Sequence, residues 1–357
     1  MYPYFAMLAL PSGLAINGTR GSRFWLLLIG LLYFLMIGFR FRVGMDWNNY
    51  LDIYRQKHAW SLARAIFDRE PGYNLLIWVA SNLRVGMIFV DAVSALVFCW
   101  GFFGVAKRCR EPWIAVTIAT PLLVVAFAMT SVRQAIAAGI IFHLISRWDE
   151  RRTLTRLILV MLASTFHFSA IFMMIFVALG SRTSHVVRIF GAAFVGTFIL
   201  VLVRFSPSSV EAYSRLYLVN ATMLAPGAIF QVAPLAIAAL IYLMNRDTWI
   251  RANGANSALE AMAWAAVIAV PAIGLSSAGT YRFALYLWPM AMIIYSGVPG
   301  MIESGVGRLF FRICIVVATV ALLMGWLLLA NNSYAWLPYQ NWLFQPDGID
   351  LLRRYNR

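Results

Sequence analysis

Ionisable and hydrogen-bonding side chains are scarce in this chain, and those that interrupt its apolar runs are the candidates for chemistry. The longest polar interval covers residues 40–73, RFRVGMDWNNYLDIYRQKHAWSLARAIFDREPGY. It opens with Arg40, Arg42 and Asp46 directly after the apolar run 24–39, and it closes on Glu70. Further on, Arg133 and Gln134 follow Thr130 and Ser131, His167 sits inside STFHFS, and Tyr281, Arg282 and Tyr286 follow SSAG. A late segment, NSYAWLPYQNW, adds Tyr334, Tyr339 and Gln340. Guanidinium groups match phosphate through charge-assisted, often bidentate bonds. A carboxylate or imidazole in reach of a hydroxyl can act as general base. Arg40, Arg42, Arg133 and Arg282 together therefore point to a polar, anionic substrate, with Asp46 as first base and His167 or Glu70 as second. Each residue also has an ordinary alternative: a snorkelling arginine, an Asp46 salt bridge to Arg40 or Arg42, a helix-capping Glu70, a core histidine satisfied by Ser164 or Ser169.

The elements that must position these groups are membrane helices. The chain has 357 residues, 62% of them hydrophobic and 12% charged, with a mean hydropathy of +0.76. A soluble domain carries about twice that charge. Apolar runs of roughly 17–23 residues recur along the whole length, enough to cross a ~30 Å hydrocarbon core, and they are continuous rather than alternating, which excludes a barrel. The expectation is an all-α polytopic membrane protein, one transmembrane domain over 1–357 with about ten or eleven spanning helices. The net charge of +15 fits basic cytoplasmic loops and anionic headgroups and does not call for nucleic acid. Cys99, Cys109 and Cys314 are scattered and read as free thiols. No metal-ligand spacing, Gly-rich phosphate loop or Gly-x-Ser-x-Gly is present.

Lys and Arg set the orientation. Residues 1–16 form a short first helix with its N-terminus outside, and Arg20 and Arg23 lie inside. Run 24–39 crosses outward and delivers 40–83 to the extracytoplasmic face. There Trp47, Tyr50, Leu51 and Tyr54 share one side of an amphipathic helix, while Asn48, Asn49, Asp52 and Arg55 point elsewhere. Its aromatics suit sugar rings or interfacial anchoring. Run 74–82 is re-entrant, 85–106 crosses to the basic turn 107–112, 113–130 and 131–148 form a pair, and the loop 148–156 is cytoplasmic. Charge parity requires run 157–179 to break near His167, so that 181–188 stays inside. Runs 186–204, 228–244, 258–275, 281–295 and 311–330 follow, with 245–251 inside and 331–357 an extracytoplasmic tail. Broken helices at membrane depth occur where they line protein or a wet cavity.

Several of these segments resemble the EpsG-like, Wzy-type bacterial exopolysaccharide (O-antigen-like) polymerases. Arg40-Phe-Arg-Val-Gly44-Met-Asp46-Trp-Asn-Asn-Tyr50 resembles their Arg-x-x-x-Gly-x-Asp-x-x-x-Tyr segment, and Glu70-Pro-Gly-Tyr73 their Glu-Pro-Gly-aromatic step. Ser131-Val-Arg133-Gln134-Ala resembles their Arg-Gln helix start, and Ala163-Ser-Thr-Phe-His167-Phe-Ser169-Ala their Ala-x-x-x-His-x-Ser-Ala run. Tyr281-Arg282 with Tyr286, and Leu337-Pro-Tyr339, match the family's end. Trp47 departs where Tyr is common, which touches sugar contacts rather than chemistry.

The resemblance implies a bacterial inner-membrane glycosyltransferase acting on the extracytoplasmic face. It would polymerise undecaprenyl-diphosphate-linked oligosaccharide repeat units in exopolysaccharide or capsule biosynthesis, with no metal and no cofactor. Arg133, Arg282 and Arg40 would hold the diphosphate; Asp46, His167 and Glu70 are the catalytic candidates. Arg42, Tyr50, Tyr73, Gln134, Tyr281, Tyr286 and Tyr339 would line the substrate. The partners implied are that lipid-linked oligosaccharide, membrane lipids, and a chain-length regulator and flippase of the same pathway. The rival readings are a flippase or exporter of the repeat unit, which should show internal repeats that this sequence lacks, a glycan ligase, and a membrane acyltransferase using His167.

Overall fold

The computed structural model describes residues 1–179, 227–256, 258–274 and 276–344. Expectations for the loop 181–188, the run 186–204 and the end of the tail, 345–357, fall outside them. Among the described residues there is no strand, only an isolated antiparallel bridge between Arg40 and Asn341. The helices are α1 (Tyr2–Ile16), α2 (Arg23–Gly38), α3 (Trp47–Lys57), α4 (Leu62–Phe67), α5 (Pro71–Asn82), α6 (Gly86–Ala106), α7 (Pro112–Ala119), α8 (Val132–Ser146), α9 (Thr153–Phe166) and α10 (Met174–Leu179). After the undescribed stretch come α11 (Ala228–Met244), α12 (Arg246–Asn253), α13 (Leu259–Ala272), α14 (Ser277–Ala284), α15 (Trp288–Gly297) and α16 (Gly305–Leu329).

Local signals explain where these elements start. The Ser22 hydroxyl accepts from Trp25 N at 3.3 Å and starts α2, and Ser304 does the same for α16 from Gly307 N. Such a cap satisfies one of the orphan donors of a first turn. Pro112 begins α7, where a missing N–H is harmless. Pro121 has the opposite effect: the helix widens into a nine-residue π-helix over Thr120–Ala128, a form tolerated mostly at functional or strained places.

Helices α6 and α8 pack with their backbones nearly touching. A Cβ on Gly101 would run into the Gly139 carbonyl, and one on Gly139 into the Val97 carbonyl and Phe98 Cα. Small residues at a crossing of this kind let helices approach where lipid provides no hydrophobic drive. Around them Phe98, Phe102, Phe127, Phe142, Trp113 and Trp288 are fully buried. Outward faces are apolar as well: on α2, Phe24, Leu27 and Leu31 are exposed at helical spacing, as on a lipid-facing helix.

The chain is therefore an all-α membrane protein, and its described residues hold fewer long spans than expected. Gly86–Ala106, Ser277–Met301 and Gly305–Leu329 are long and apolar enough to cross alone. A fourth arises if α11 and α12, bent by 90°, count as one broken span. Most remaining apolar helices have 10–17 residues; at 1.5 Å per residue a 15-residue helix such as α8 covers about 22 Å, short of ~30 Å. The apolar runs have the expected positions, and prolines and polar breaks shorten the helices inside them. The break expected near His167 is present: α9 ends at Phe166, His167 is extended (φ −151°, ψ 121°), a 3-10 turn covers Phe168–Met173, and α10 packs back against α9.

The final described segment folds under the polar interval. Phe41 N bonds Gln340 O at 3.0 Å, Gly44 N bonds Ala335 O at 2.8 Å and Trp342 N bonds Phe39 O at 2.7 Å. Trp336 Nε1 donates to Val125 O at 2.9 Å and Tyr4 Oη to Trp336 O at 2.7 Å, so the chain's two ends lock the 39–46 loop in place.

Candidate active site

Two glycines bring the polar elements together. Gly44, at φ 101°, lies so near residues 129 and 130 that a Cβ would strike the Met129 carbonyl. This docks the Asp46 loop just ahead of the start of α8. Gly72, in the first turn of α5, meets the end of α9: a Cβ there would strike Thr165 Oγ1 and the Phe166 ring. That contact carries Glu70 to His167.

Glu70 is the centre. It sits in the left-handed region (φ 56°, ψ 58°) at the N-cap position of α5, yet its side chain makes no cap bond. Such a conformation costs roughly 1–3 kcal/mol and persists where its surroundings enforce it. The carboxylate turns instead into the bundle. Oε2 accepts from Arg133 Nη1 at 2.5 Å, and Oε1 contacts His167 Nδ1 at 2.8 Å and accepts from Phe168 N at 3.4 Å. The last bond satisfies a peptide N–H freed by the break after α9. Burial pushes the Glu70 carboxyl up, but His167 and Arg133 together outweigh it and hold the group at about 2. An acid so strong, with both oxygens engaged, is a poor proton acceptor at neutral pH. Glu70 in this geometry positions Arg133 and His167.

A carboxylate facing Nδ1 fixes the proton on that nitrogen and leaves Nε2 as the acceptor. Nε2 of His167 has no hydrogen bond among the described residues. The Arg133 guanidinium lies over the rings of Tyr50 (5.6 Å) and Tyr73 (5.8 Å), which meet each other edge-on at 6.1 Å. Gln134 Nε2 donates to the Arg282 carbonyl at 2.8 Å and reaches Ser169 Oγ at 3.5 Å; Ser169 shares a 3.0 Å hydrogen bond with Tyr286 Oη. Gln134 thereby fixes the backbone that carries Arg282.

Asp46 is half-buried at the start of α3. Burial raises its carboxyl above the usual carboxylate range, against the pull of Arg282 and Arg133 nearby. Its side chain makes no hydrogen bond or ion pair among the described residues, and Tyr281 feels its charge. Asp46, Glu70, His167, Arg133, Arg282, Gln134, Tyr50, Tyr73, Tyr281 and Tyr286 therefore form one neighbourhood.

Three other residues read from the sequence lie apart from it. Arg40 is 2% exposed and spends its guanidinium on Asp91 Oδ1 at 3.1 Å and the Ile37 carbonyl at 2.6 Å. It is a buried structural pair rather than a diphosphate ligand, and it is not the partner of Asp46. Arg42 is exposed, with its guanidinium 5.1 Å from the Phe41 ring. Tyr339 donates to the Met36 carbonyl at 2.9 Å, accepts from Asn341 and meets Tyr4 edge-on, so it holds the tail and does not line the cluster. Sequence reasoning passed over Asp91, although a carboxylate inside the run 85–106 is the kind of intramembrane charge that marks a partner elsewhere. It also read Ser169 only as a partner for His167.

A family model described as the EpsG family matches residues 23–341. No curated protein matches the chain, and no solved structure does.

Proposed function

This chain belongs to the EpsG family, and we propose that it is a membrane glycosyltransferase that polymerises polyprenyl-diphosphate-linked oligosaccharide repeats on the extracytoplasmic face. The observation that carries the reading is the pairing of two differently treated carboxylates around two arginines. Glu70 is consumed in holding Arg133 and His167, while Asp46 makes no hydrogen bond or ion pair among the described residues and has a raised proton affinity. In the reaction, Asp46 takes the proton of an acceptor hydroxyl as that oxygen bonds to the anomeric carbon of the donor. The anomeric C–O bond to the diphosphate breaks, and its electron pair leaves on the diphosphate oxygen.

Arg133 and Arg282 face the charge that develops on that leaving group, the kind of fixed electrostatic help that contributes most to such steps. Protonation of Asp46 removes one negative charge from the cluster as the leaving diphosphate gains one. Tyr50 and Tyr73 orient Arg133, and Tyr281 and Tyr286 border the sugar. The inner-membrane location and the undecaprenyl carrier belong to this same reading.

The test uses purified protein in detergent with lipid-linked repeat units and no nucleotide. Wild-type protein should yield a ladder of lengths, and Arg133→Ala and Arg282→Ala should each reduce it by about 100-fold or more at unchanged protein level. Ladders of wild-type length and amount from both variants would sink the diphosphate assignment. In sealed vesicles carrying the purified protein, repeats that cross the bilayer but never lengthen would mean a flippase.

A further inference from the structure

A second polar site lies at the far end of α9 from His167. Arg156 precedes His167 by eleven residues, or about 16 Å of helix. Beside it is a cavity of about 440 Å³ lined by Asp149, Arg156, Tyr242, Arg246, Asn256 and Glu260. These residues come from the 148–150 turn, α9, the end of α11, α12, the segment leading into α13 and the first turn of α13.

The charges of this cavity are unevenly used. Arg246 grips Glu260 through Nε (3.1 Å) and Nη2 (3.0 Å), so that pair is settled. Arg156 is different. It is 8% exposed, lies 4.7 Å over the Trp148 ring, and its side chain has no hydrogen bond or ion pair among the described residues. Its Nε is fully buried and unpaired. The terminal guanidinium nitrogens are not closed off in this way, and at a cavity wall they can pair with an entering oxyanion through charge-assisted bonds. Asn256 caps Ala258 N with Oδ1 at 3.0 Å, and its Nδ2 makes no bond among the described residues. Asp149 sits close enough to Arg156 to influence it. A cavity lined by the Arg156 guanidinium and the Asp149 carboxylate suits a ligand bearing both signs.

We propose that this cavity binds a phosphate ester carrying an ammonium group, with the phosphate on Arg156 and the ammonium toward Asp149. This site is separate from the Glu70 cluster and independent of the transfer reaction. Two sources share the chemistry: a zwitterionic phospholipid headgroup and a soluble phosphate ester. The helices beside the cavity have exposed apolar faces, including Leu154 and Ile158 on α9 and Ile237, Leu240 and Met244 on α11, against which acyl chains can lie.

The experiment follows thermal unfolding of the delipidated full chain in detergent by tryptophan fluorescence. The probes are dihexanoyl-phosphatidylethanolamine, phosphoethanolamine and, as a phosphate-free control, dihexanoylglycerol. The midpoint should rise with a phosphate probe and not with the control. Apparent affinity should fall at least about tenfold in Arg156→Gln, the loss of one charge-assisted contact, and be unchanged in Arg251→Gln, an exposed arginine outside the cavity. Protection by the lipid alone identifies a headgroup; equal protection by phosphoethanolamine identifies a soluble ester. No protection of wild-type protein by either phosphate probe, equal protection by the control, or undiminished protection of Arg156→Gln would each overturn the proposal. The wild-type result decides even if the variant fails to fold.

Discussion

Glu70 and Asp46 are chemically identical groups a short distance apart in function, and their surroundings separate them. Glu70 is depressed, so its ionic bonds stabilise the fold fully above its ordinary value of 4.5 and that stability is lost as pH falls toward about 2. Denaturation midpoints followed from pH 5 to pH 2 should fall in wild-type protein. They should fall less in Glu70→Gln, where only the other ion pairs titrate, and that variant should also lose the ladder because Arg133 and His167 are released together. Asp46 is shifted the other way, by burial. A base must be ionised, so turnover should decline as pH drops through a value above 3.8, while Glu70 is still charged. Asp46→Asn should accumulate single lipid-linked repeats and abolish that acid limb; a mutant keeping both rate and limb would transfer the base role to His167. These residues were legible in the sequence because ionisable groups stand out in an apolar chain. What each one touches was not: Arg40 meets Asp91 across fifty-one positions, a pairing of the turn after α2 with α6 that no local spacing encodes.

The helices follow the apolar runs closely, since hydrophobic length and capping residues are both local signals. The break at His167 was readable for a similar reason: a histidine inside an apolar run, together with loop charges that otherwise fall on the wrong side. Span count was not readable, because a run long enough to cross can be cut as at His167, or bent by 90° as between α11 and α12, without changing its hydropathy. Glycines show the same limit. Nothing in the sequence separates Gly139, pressed against the Val97 carbonyl, from Gly325, which has open space around it. Gly139→Ala should therefore lower stability by roughly 1–3 kcal/mol through overpacking of α6 on α8. Gly325→Ala, near the end of α16, should be neutral or gain up to about 1 kcal/mol from helix propensity. Thermal midpoints of the two variants in one detergent compare them directly, and equal losses would refute the close-packed crossing.

Two ends of unlike character emerge from the assembled molecule. At one, basic turns distant in sequence are joined: Arg108 to Glu150 at 2.6 Å, Arg110 to the Ala252 carbonyl at 2.5 Å, and Arg312 to Glu111 at 2.7 Å. The other holds the Asp46 loop, Glu70, the start of α8, the break at His167 and the first turns of α14. The positive-inside rule reads the first end as cytoplasmic, and the fold brings together the turns that rule groups. The excess arginines of the second end then need a reason other than topology, and the proposed anionic substrate supplies it. Orientation can be measured in a Cys314→Ser background, since Cys99 and Cys109 are buried. A membrane-impermeant maleimide should label Asn48→Cys, exposed on α3, in intact spheroplasts, and Arg251→Cys, exposed on α12, only after permeabilisation. The reverse pattern would turn the Glu70 cluster toward the cytoplasm, where a repeat unit already moved across the bilayer could not reach it, and polymerisation on the extracytoplasmic face would have to be abandoned.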